Sequence, residues 1–197
     1  MQIRPLDIEG AWVVMPKQFA DARGVFAEGF RADHLAKVIG HELRVRQTNI
    51  SVSTAGALRG IHYSDVPPSQ AKYVTATGGV FVDYVVDLRV GSPTFGQWDT
   101  VLLDTVDRRA VYLSEGLGHA LACLEGGTAV YLCSEVYAPS RERTISPLDE
   151  QVALQLPDGF EPLVSERDRD APTLSHAREQ SLLPKYEDCL DYRRSLS

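Results

Sequence analysis

The 197-residue sequence has few cysteines, no long apolar segment and no excess of basic residues. Its three cysteines, Cys123, Cys133 and Cys189, are odd in number and show no Cys-x-x-Cys spacing, which argues against a disulfide framework and against a zinc knuckle. No apolar run approaches the roughly 20 residues that a membrane-spanning helix needs. Charged residues at positions 4, 7 and 9 interrupt any signal-peptide core. We therefore expect a cytoplasmic protein that does not bind a membrane.

The charge balance of the chain is acidic. The 20 Lys and Arg residues and 27 Asp and Glu residues give a formal net charge of -7 and a pI near 5.2. Nucleic acids and anionic membranes bind proteins with basic surfaces, so this balance argues against both as partners. A small anionic ligand remains possible, because a few local arginines are enough to hold one.

The distribution of turn residues and apolar runs predicts a single domain over residues 1–197, with a β core at about 43–137. No internal repeat, low-complexity tract or charge block divides the chain. Short runs rich in β-branched and aromatic residues alternate with Gly and Pro turns. These runs cover residues 43–53, 56–63, 71–77, 80–88, 97–103, 110–113, 119–124 and 128–137. Strands without long helical interruptions predict an all-β closed barrel or sandwich.

Helical patterns occur only on the flanks of this core. Leu35, Val38 and Ile39 form an i, i+3, i+4 stripe that Gly40 ends, and the C-terminal segment at about 173–195 begins with a helical pattern over residues 174–183. We expect these helices to pack outside the β core. Within the run 80–88, alternation places Asp83 and Asp87 on one half-apolar face, which suggests a water-filled cavity.

Two of the five histidines, His62 and His119, lie at the ends of apolar strands. Each is either a core histidine whose ring nitrogens are hydrogen-bonded within the protein or part of a functional site. A β-barrel metal site needs a His-x-His pair, a nearby Glu and a distant His. Position 64 is Ser64, and no Glu lies between it and Lys72. The sequence therefore favours acid-base chemistry without a metal or another cofactor.

Lysine and tyrosine residues of the predicted strands supply further candidates. Lys72 is either a lysine that extends to solvent or a fixed cation beside a developing oxyanion. Tyr131 and Tyr137 share one face of the last strand, where a tyrosine most often serves packing. The charged segment 165–170 reads, by its charge pattern alone, as a solvated loop.

Several segments together resemble the dTDP-4-dehydrorhamnose 3,5-epimerases and related deoxysugar epimerases. The similarity runs in order from about residue 3 to residue 190. The matching segments are Phe19-Ala20-Asp21-Ala22-Arg23-Gly24-Val25-Phe26-Ala27-Glu28, Leu58-Arg59-Gly60-Ile61-His62-Tyr63, Gln70-Ala71-Lys72-Tyr73-Val74, Val86-Asp87-Leu88-Arg89 with Gly91-Ser92-Pro93-Thr94-Phe95-Gly96, and Ser114-Glu115-Gly116-Leu117-Gly118-His119.

This resemblance implies a cupin-type jelly roll, a homodimer and metal-free epimerisation of a dTDP-4-keto-6-deoxyhexose beside its ketone. It implies that His62 is the general base, paired with Asp168, that Lys72 stabilises the enolate, and that Tyr131 is the acid on the opposite sugar face. The residues implied to bind substrate are Gln47, Asn49, Arg59 and His119 for the sugar and diphosphate, Arg23, Phe26 and Glu28 for the nucleotide of the partner subunit, and Tyr137 for stacking near thymine.

Two features do not follow from the resemblance directly. A regular strand would place Arg59 and His62 on opposite faces, so a bulge at Gly60 is expected. Ala120 and Leu121 stand where the family usually has Gly-Phe, which we expect to remove an aromatic wall of the pocket. The sequence leaves open epimerisation at carbon 3, at carbon 5 or at both. The alternatives are a 3-epimerase of an antibiotic deoxysugar pathway, a metal-dependent cupin enzyme and a sugar-nucleotide binding module with a decayed site.

Overall fold

A computed structural model describes residues 1–196, which form short strands and a few short helices. The strands are β1 (Gln2–Pro5), β2 (Ala11–Met15), β3 (Gln18–Asp21), β4 (Gly24–Ala27), β5 (Gln47–Ser53), β6 (Ala57–Ser64), β7 (Lys72–Gly78), β8 (Phe81–Asp87), β9 (Trp98–Leu103), β10 (Ala110–Leu113), β11 (Leu117–Cys123), β12 (Gly127–Cys133), β13 (Glu142–Thr144) and β14 (Leu163–Val164). The helices are α1 (Ala32–Ile39), α2 (Glu166–Arg169), α3 (Leu174–Glu179) and α4 (Tyr186–Ser195).

Most strands belong to two sheets that pack face to face. One sheet has the order β1-β2-β10-β7-β12-β5, and the other has the order β13-β6-β11-β8-β9 with β14 beside β6. Apolar side chains of both sheets meet between them, among them Val74 and Val111 from the first and Phe81, Val85 and Leu121 from the second. Every strand pair except β14–β6 is antiparallel. The fold is a cupin-type jelly roll, which confirms the all-β expectation.

All eight predicted strands are present, as β5 to β12. The sequence pattern did not reveal β1 to β4, β13 or β14, which have two to five residues each. β3 and β4 form a separate two-stranded hairpin that is largely exposed.

The helices pack on the outer faces of the sheets, as expected. Leu35 of α1 is buried against Tyr73 and Tyr112, and α1 ends at Gly40, whose φ of 88° is the left-handed conformation that glycine adopts readily. The predicted helix over 174–183 is shorter than expected. α3 ends at Glu179, where Ser181 adopts a left-handed conformation with a φ of 55° and the Leu182 N–H donates back to the Ala177 carbonyl. α4 begins only at Tyr186, after Pro184.

The expectation that Asp83 and Asp87 face a water-filled cavity is wrong, since both side chains are fully buried and neither lines the cavity. Asp87 is paired with Arg89 instead. Its carboxylate accepts hydrogen bonds from Arg89 Nε at 2.8 Å and from Arg89 Nη2 at 2.7 Å, and both side chains are fully buried. Although burial opposes ionisation, the Arg89 guanidinium holds the pKa of Asp87 below its usual value. The pair joins the end of β8 to the loop that follows it, where Ser92 and Thr94 also donate to Asp87.

Candidate active site

A cavity of about 260 Å³ opens at one end of the jelly roll, and both sheets contribute to its walls. Most of its lining side chains are charged or can form hydrogen bonds. They are Gln47, Asn49 and Ser51 of β5, Arg59 and His62 of β6, Lys72 of β7, His119 of β11, Tyr131 of β12, Glu142 and Arg143 of β13, and Gln70, Tyr137 and Arg167 from connecting segments and α2. The cavity therefore collects eight of the residues that the sequence singled out.

His62 is paired with a buried carboxylate. Its Nε2 lies 2.8 Å from Asp168 Oδ1, and the side chain of Asp168 is 6% exposed while that of His62 is 35% exposed. The other carboxylate oxygen accepts a hydrogen bond from the Gly60 N–H at 3.3 Å. Although burial opposes ionisation, these hydrogen bonds lower the pKa of Asp168. Asp168 thus orients the imidazole from behind and leaves its other ring nitrogen free to contact a ligand.

The charged segment around Asp168 is not the solvated loop that its charge pattern suggested. Residues 166–169 form α2, and Ser165 caps this helix by accepting a hydrogen bond from the Asp168 N–H at 3.1 Å. The cap fixes the backbone at Asp168 and turns its side chain inward. The other residues of the segment are exposed and produce the charge pattern, whereas Asp168 is buried.

A bulge at Gly60 brings Arg59 and His62 to the same cavity, as the sequence predicted. β6 pairs with β11 through His62–His119 and Arg59–Leu121, so two residues of β6 lie opposite one residue of β11 between these pairs. Gly60 has a φ of 117°, and a Cβ there would lie 2.4 Å from the carbonyl oxygen of His119. Only glycine fits this close approach of two backbones.

Lys72 is the buried cation of the cavity. Its residue is 8% exposed, and burial lowers the pKa of its ammonium, an effect that the nearby Glu142 and Asp83 carboxylates partly oppose. A lysine that extends to bulk water is therefore the wrong interpretation. Burial also raises the pKa of Tyr131, so this tyrosine carries its hydroxyl proton at neutral pH.

His119 belongs to a second histidine–carboxylate pair. Its Nε2 lies 2.7 Å from Asp83 Oδ2, and the ring meets that of Tyr131 edge-on with centroids 5.6 Å apart. In the part of the chain that the structure describes, no group of three or more His, Cys, Asp or Glu side chains is placed to hold a metal ion.

Hydrogen bonds preorganise the polar wall near the mouth of the cavity. Gln47 Nε2 donates to Asn49 Oδ1 at 2.7 Å, and Gln47 Oε1 accepts from the Tyr137 N–H at 2.8 Å. Arg59 Nε donates to Ser53 Oγ at 3.0 Å. Tyr137 itself is exposed at the rim, where its ring is accessible to a planar ligand.

The sequence analysis missed five cavity residues, namely Ser51, Gln70, Glu142, Arg143 and Arg167. Glu142 and Arg143 lie on β13, a strand of only three residues that no alternation could reveal. Arg167 adjoins Asp168 in the segment 165–170, whose charge pattern indicates a solvated loop. Its proximity to a candidate catalytic residue was the one signal available.

The structure does not bring Arg23, Phe26 and Glu28 to the cavity of their own chain. All three lie on or beside the β3–β4 hairpin, where Phe26 is 66% exposed. Arg23 forms an exposed ion pair with Asp21, and Glu28 pairs with Arg31 at 3.0 Å. Within one chain these residues have no part in the cavity.

The expectation about Ala120 and Leu121 needs correction. Neither residue lines the cavity. Ala120 packs in the apolar layer outside its sheet, and Leu121 lies in the core between the two sheets. Ala120 and Leu121 thus belong to the packed layers beside the site, and other residues line the cavity.

Comparisons with known proteins agree with this geometry. The family model described as dTDP-4-dehydrorhamnose 3,5-epimerase matches residues 5–176. The chain is 52% identical over 190 residues to the dTDP-4-dehydrorhamnose 3-epimerase of Streptomyces niveus, covering 96% of this chain and 91% of that protein. It is 49% identical over 197 residues to the dTDP-4-dehydrorhamnose 3,5-epimerase of Mycolicibacterium smegmatis, covering 100% and 97%. A 3′-monoepimerase of Streptomyces bikiniensis, solved in complex with dTDP-quinovose, aligns with a TM-score of 0.95 at 47% identity over 98% of each chain.

Proposed function

Since the chain belongs to the dTDP-4-dehydrorhamnose 3,5-epimerase family, we propose that its cavity inverts a dTDP-4-keto-6-deoxyhexose at carbon 3, at carbon 5 or at both, through an enolate. The enzyme is an isomerase of the racemase and epimerase class. The observation that carries the mechanism is the arrangement of side chains around one cavity: His62 on one sheet, hydrogen-bonded to Asp168 of α2, and Lys72 and Tyr131 on the other sheet.

Removal of the proton requires a base and a stabilised product. A carbon-bound proton beside a ketone is far less acidic than imidazolium, so His62 needs help from a group that lowers the energy of the enolate. The Lys72 ammonium is the buried cation that supplies it. Asp168 accepts the hydrogen bond from His62 Nε2, which fixes the tautomer and favours the imidazolium that forms.

Inversion requires a proton donor on the opposite face of the sugar. His62 comes from β6 and Tyr131 comes from β12, and these strands belong to different sheets. A sugar ring held between the sheets would present one face to the imidazole and the other to the phenol. The raised pKa of Tyr131 keeps its proton in place until a carbanion takes it.

The mouth of the cavity suits a nucleoside diphosphate. Arg59 and Arg167 place guanidinium groups there, and these match phosphate oxygens in a two-pronged geometry. The exposed Tyr137 ring offers a stacking surface for thymine. The relative from Streptomyces bikiniensis is described as bound to dTDP-quinovose, which supports a dTDP-sugar ligand here.

We also propose that two copies of the chain form a homodimer, in which the hairpin of one subunit completes the site of the other. Phe26 is a large exposed apolar side chain, and Ile50 and Val52 on the edge strand β5 are 70% and 73% exposed. Such a surface favours association with another chain. A dimer mass in light scattering, together with a raised KM for Phe26→Ala, would support this arrangement, whereas an active monomer would contradict it.

A cytoplasmic location is likewise a proposal. No helix of residues 1–196 is long and apolar enough to cross a membrane. The buried cysteines Cys123, Cys133 and Cys189 are all unpaired. Free thiols are typical of a reducing compartment.

Incubation with dTDP-4-keto-6-deoxyglucose in deuterated water tests the function. NMR and mass spectrometry would follow deuterium at carbons 3 and 5, with His62→Ala and Lys72→Ala as inactive controls that still bind dTDP. Label at carbon 3 alone would identify a 3-epimerase, and label at both carbons a 3,5-epimerase. Absence of enzyme-dependent label at either carbon would contradict the proposal, and so would wild-type activity in either variant.

A further inference from the structure

Asp83 is a buried carboxylate behind His119, and the proposed mechanism assigns it no role. Its side chain has 0% exposure, and Oδ2 lies 2.7 Å from His119 Nε2. Its other oxygen, Oδ1, has no hydrogen-bond partner among residues 1–196. A carboxylate buried this way is costly unless a strong donor faces it, and His119 is the donor that the geometry supplies.

The pair lies among the groups that would carry the chemistry. His119 on β11 pairs in register with His62 on β6, and its ring contacts that of Tyr131 at 5.6 Å. The Asp83 charge also acts on the Lys72 ammonium and on the Tyr131 hydroxyl. His119 lines the cavity while Asp83 does not, so Asp83 can influence a ligand only through its neighbours.

We propose that Asp83 is a positioning residue that keeps a proton on His119 Nε2 and fixes the orientation of that ring beside the cavity. An ionised carboxylate only accepts hydrogen bonds, so the Nε2 atom that faces it must donate. With its Nε2–H held by Asp83, the His119 ring offers Nδ1 as its remaining polar atom for a ligand in the cavity. This role rests on the proposed epimerisation, whereas the protonation of Nε2 does not.

The tautomer can be measured without substrate. Two-bond ¹H–¹⁵N correlations of the ¹⁵N-histidine-labelled wild-type enzyme, assigned with His119→Gln, report which ring nitrogen carries the proton. We expect a protonated Nε2 on His119 at neutral pH. An unprotonated Nε2 would overturn the proposal whatever the enzyme's activity, because Asp83 could not then accept from it.

Kinetics test the consequence for catalysis. Asp83→Asn and His119→Gln should each lower kcat by about 100-fold, the order expected when a group that contacts the substrate is misplaced by about 1 Å, with little change in KM. If Asp83 acts through His119, the double variant is no slower than His119→Gln. The proposal would be overturned if Asp83→Asn had the same kcat as wild type. It would also be overturned if the fall in kcat of the double variant equalled the product of the two single falls.

A control separates positioning from stability. Asp149 is another buried aspartate, and it does not line the cavity. Its carboxylate accepts a hydrogen bond of 2.6 Å from the Leu174 N–H. Asp149→Asn should lower the melting temperature without lowering kcat. If Asp83→Asn does not fold, the NMR measurement on the wild-type enzyme still decides. If wild-type enzyme exchanges no label, the proposed function fails while the NMR result continues to judge the role of Asp83.

Discussion

Replacement of Lys72 by methionine should remove activity and stabilise the fold at the same time. The side chain is 8% exposed and its ammonium faces a cavity lined by both sheets. Methionine has a similar length and no charge, so it should fill the same space. The substitution deletes the one buried cation proposed to stabilise the enolate, and the expected fall in kcat is about 100- to 1,000-fold. Binding of dTDP should be largely unchanged.

The stability effect should depend on pH in a defined direction. Burial lowers the pKa of Lys72 below its ordinary value of 10.5, so the unfolded chain binds this proton more tightly than the folded chain. The wild-type free energy of unfolding therefore carries a constant penalty below the folded pKa, and this penalty shrinks as the pH rises toward 10.5. Lys72→Met should unfold at a higher temperature than wild type at pH 7, and the difference should narrow in alkaline buffer.

Deuterium exchange into dTDP-4-keto-6-deoxyglucose and thermal unfolding at several pH values measure the two effects. Lys37→Met is the matched control, because Lys37 is exposed on α1. It should alter neither activity nor the pH dependence of unfolding. Wild-type kcat in Lys72→Met would refute the role of the ammonium. A lower melting temperature at pH 7 would refute the argument that its burial destabilises the fold.

Three further substitutions have clear expected results. Tyr131→Phe should leave His62 able to remove the proton, so NMR should detect deuterium in unreacted substrate while formation of the epimer slows. If deuterium exchange and epimer formation fall by the same factor, the assignment of Tyr131 as the acid is contradicted. Gly60→Ala should lower the melting temperature and activity together, since its Cβ would meet a backbone oxygen at 2.4 Å, and a wild-type melting curve would contradict this. Asp87→Asn should cost about 3–5 kcal/mol in urea unfolding by leaving the Arg89 charge buried without its partner, and a loss below about 1 kcal/mol would show that the pair relaxes.

The strands were predictable to the extent that each carried enough alternation to show a period. β5 to β12 have between four and eight residues, and all eight lay where the apolar runs predicted them. The pattern did not predict β1 to β4, β13 and β14. β1 pairs with β2 and β3 with β4 close in sequence, whereas β13 and β14 pair with β6, which is distant in sequence. The apolar pattern over 174–183 predicts a longer helix than α3, because it continues past Glu179, where the left-handed backbone of Ser181 ends the helix.

Site residues were predictable where their chemistry conflicts with a simple structural role. A lysine and two histidines within apolar strands are unusual, and each proved to line the cavity. Asp168 could not be identified from its charge pattern, since its five neighbours in the segment 165–170 are polar or charged as well. Asp83 was noticed only as a carboxylate on a half-apolar face, and its partner His119 lies on a different strand.

By itself the sequence determined the class of fold, the acidic charge balance and the family, because these depend on composition, on the period of apolar residues and on motifs within single segments. The folded chain was needed to establish that His119 faces Asp83, that a short helix turns Asp168 inward to His62, and that His62 and Tyr131 lie on different sheets. The physical reason is that these relations join residues up to about one hundred positions apart, and only the pairing and packing of the strands bring them within a few ångströms of each other.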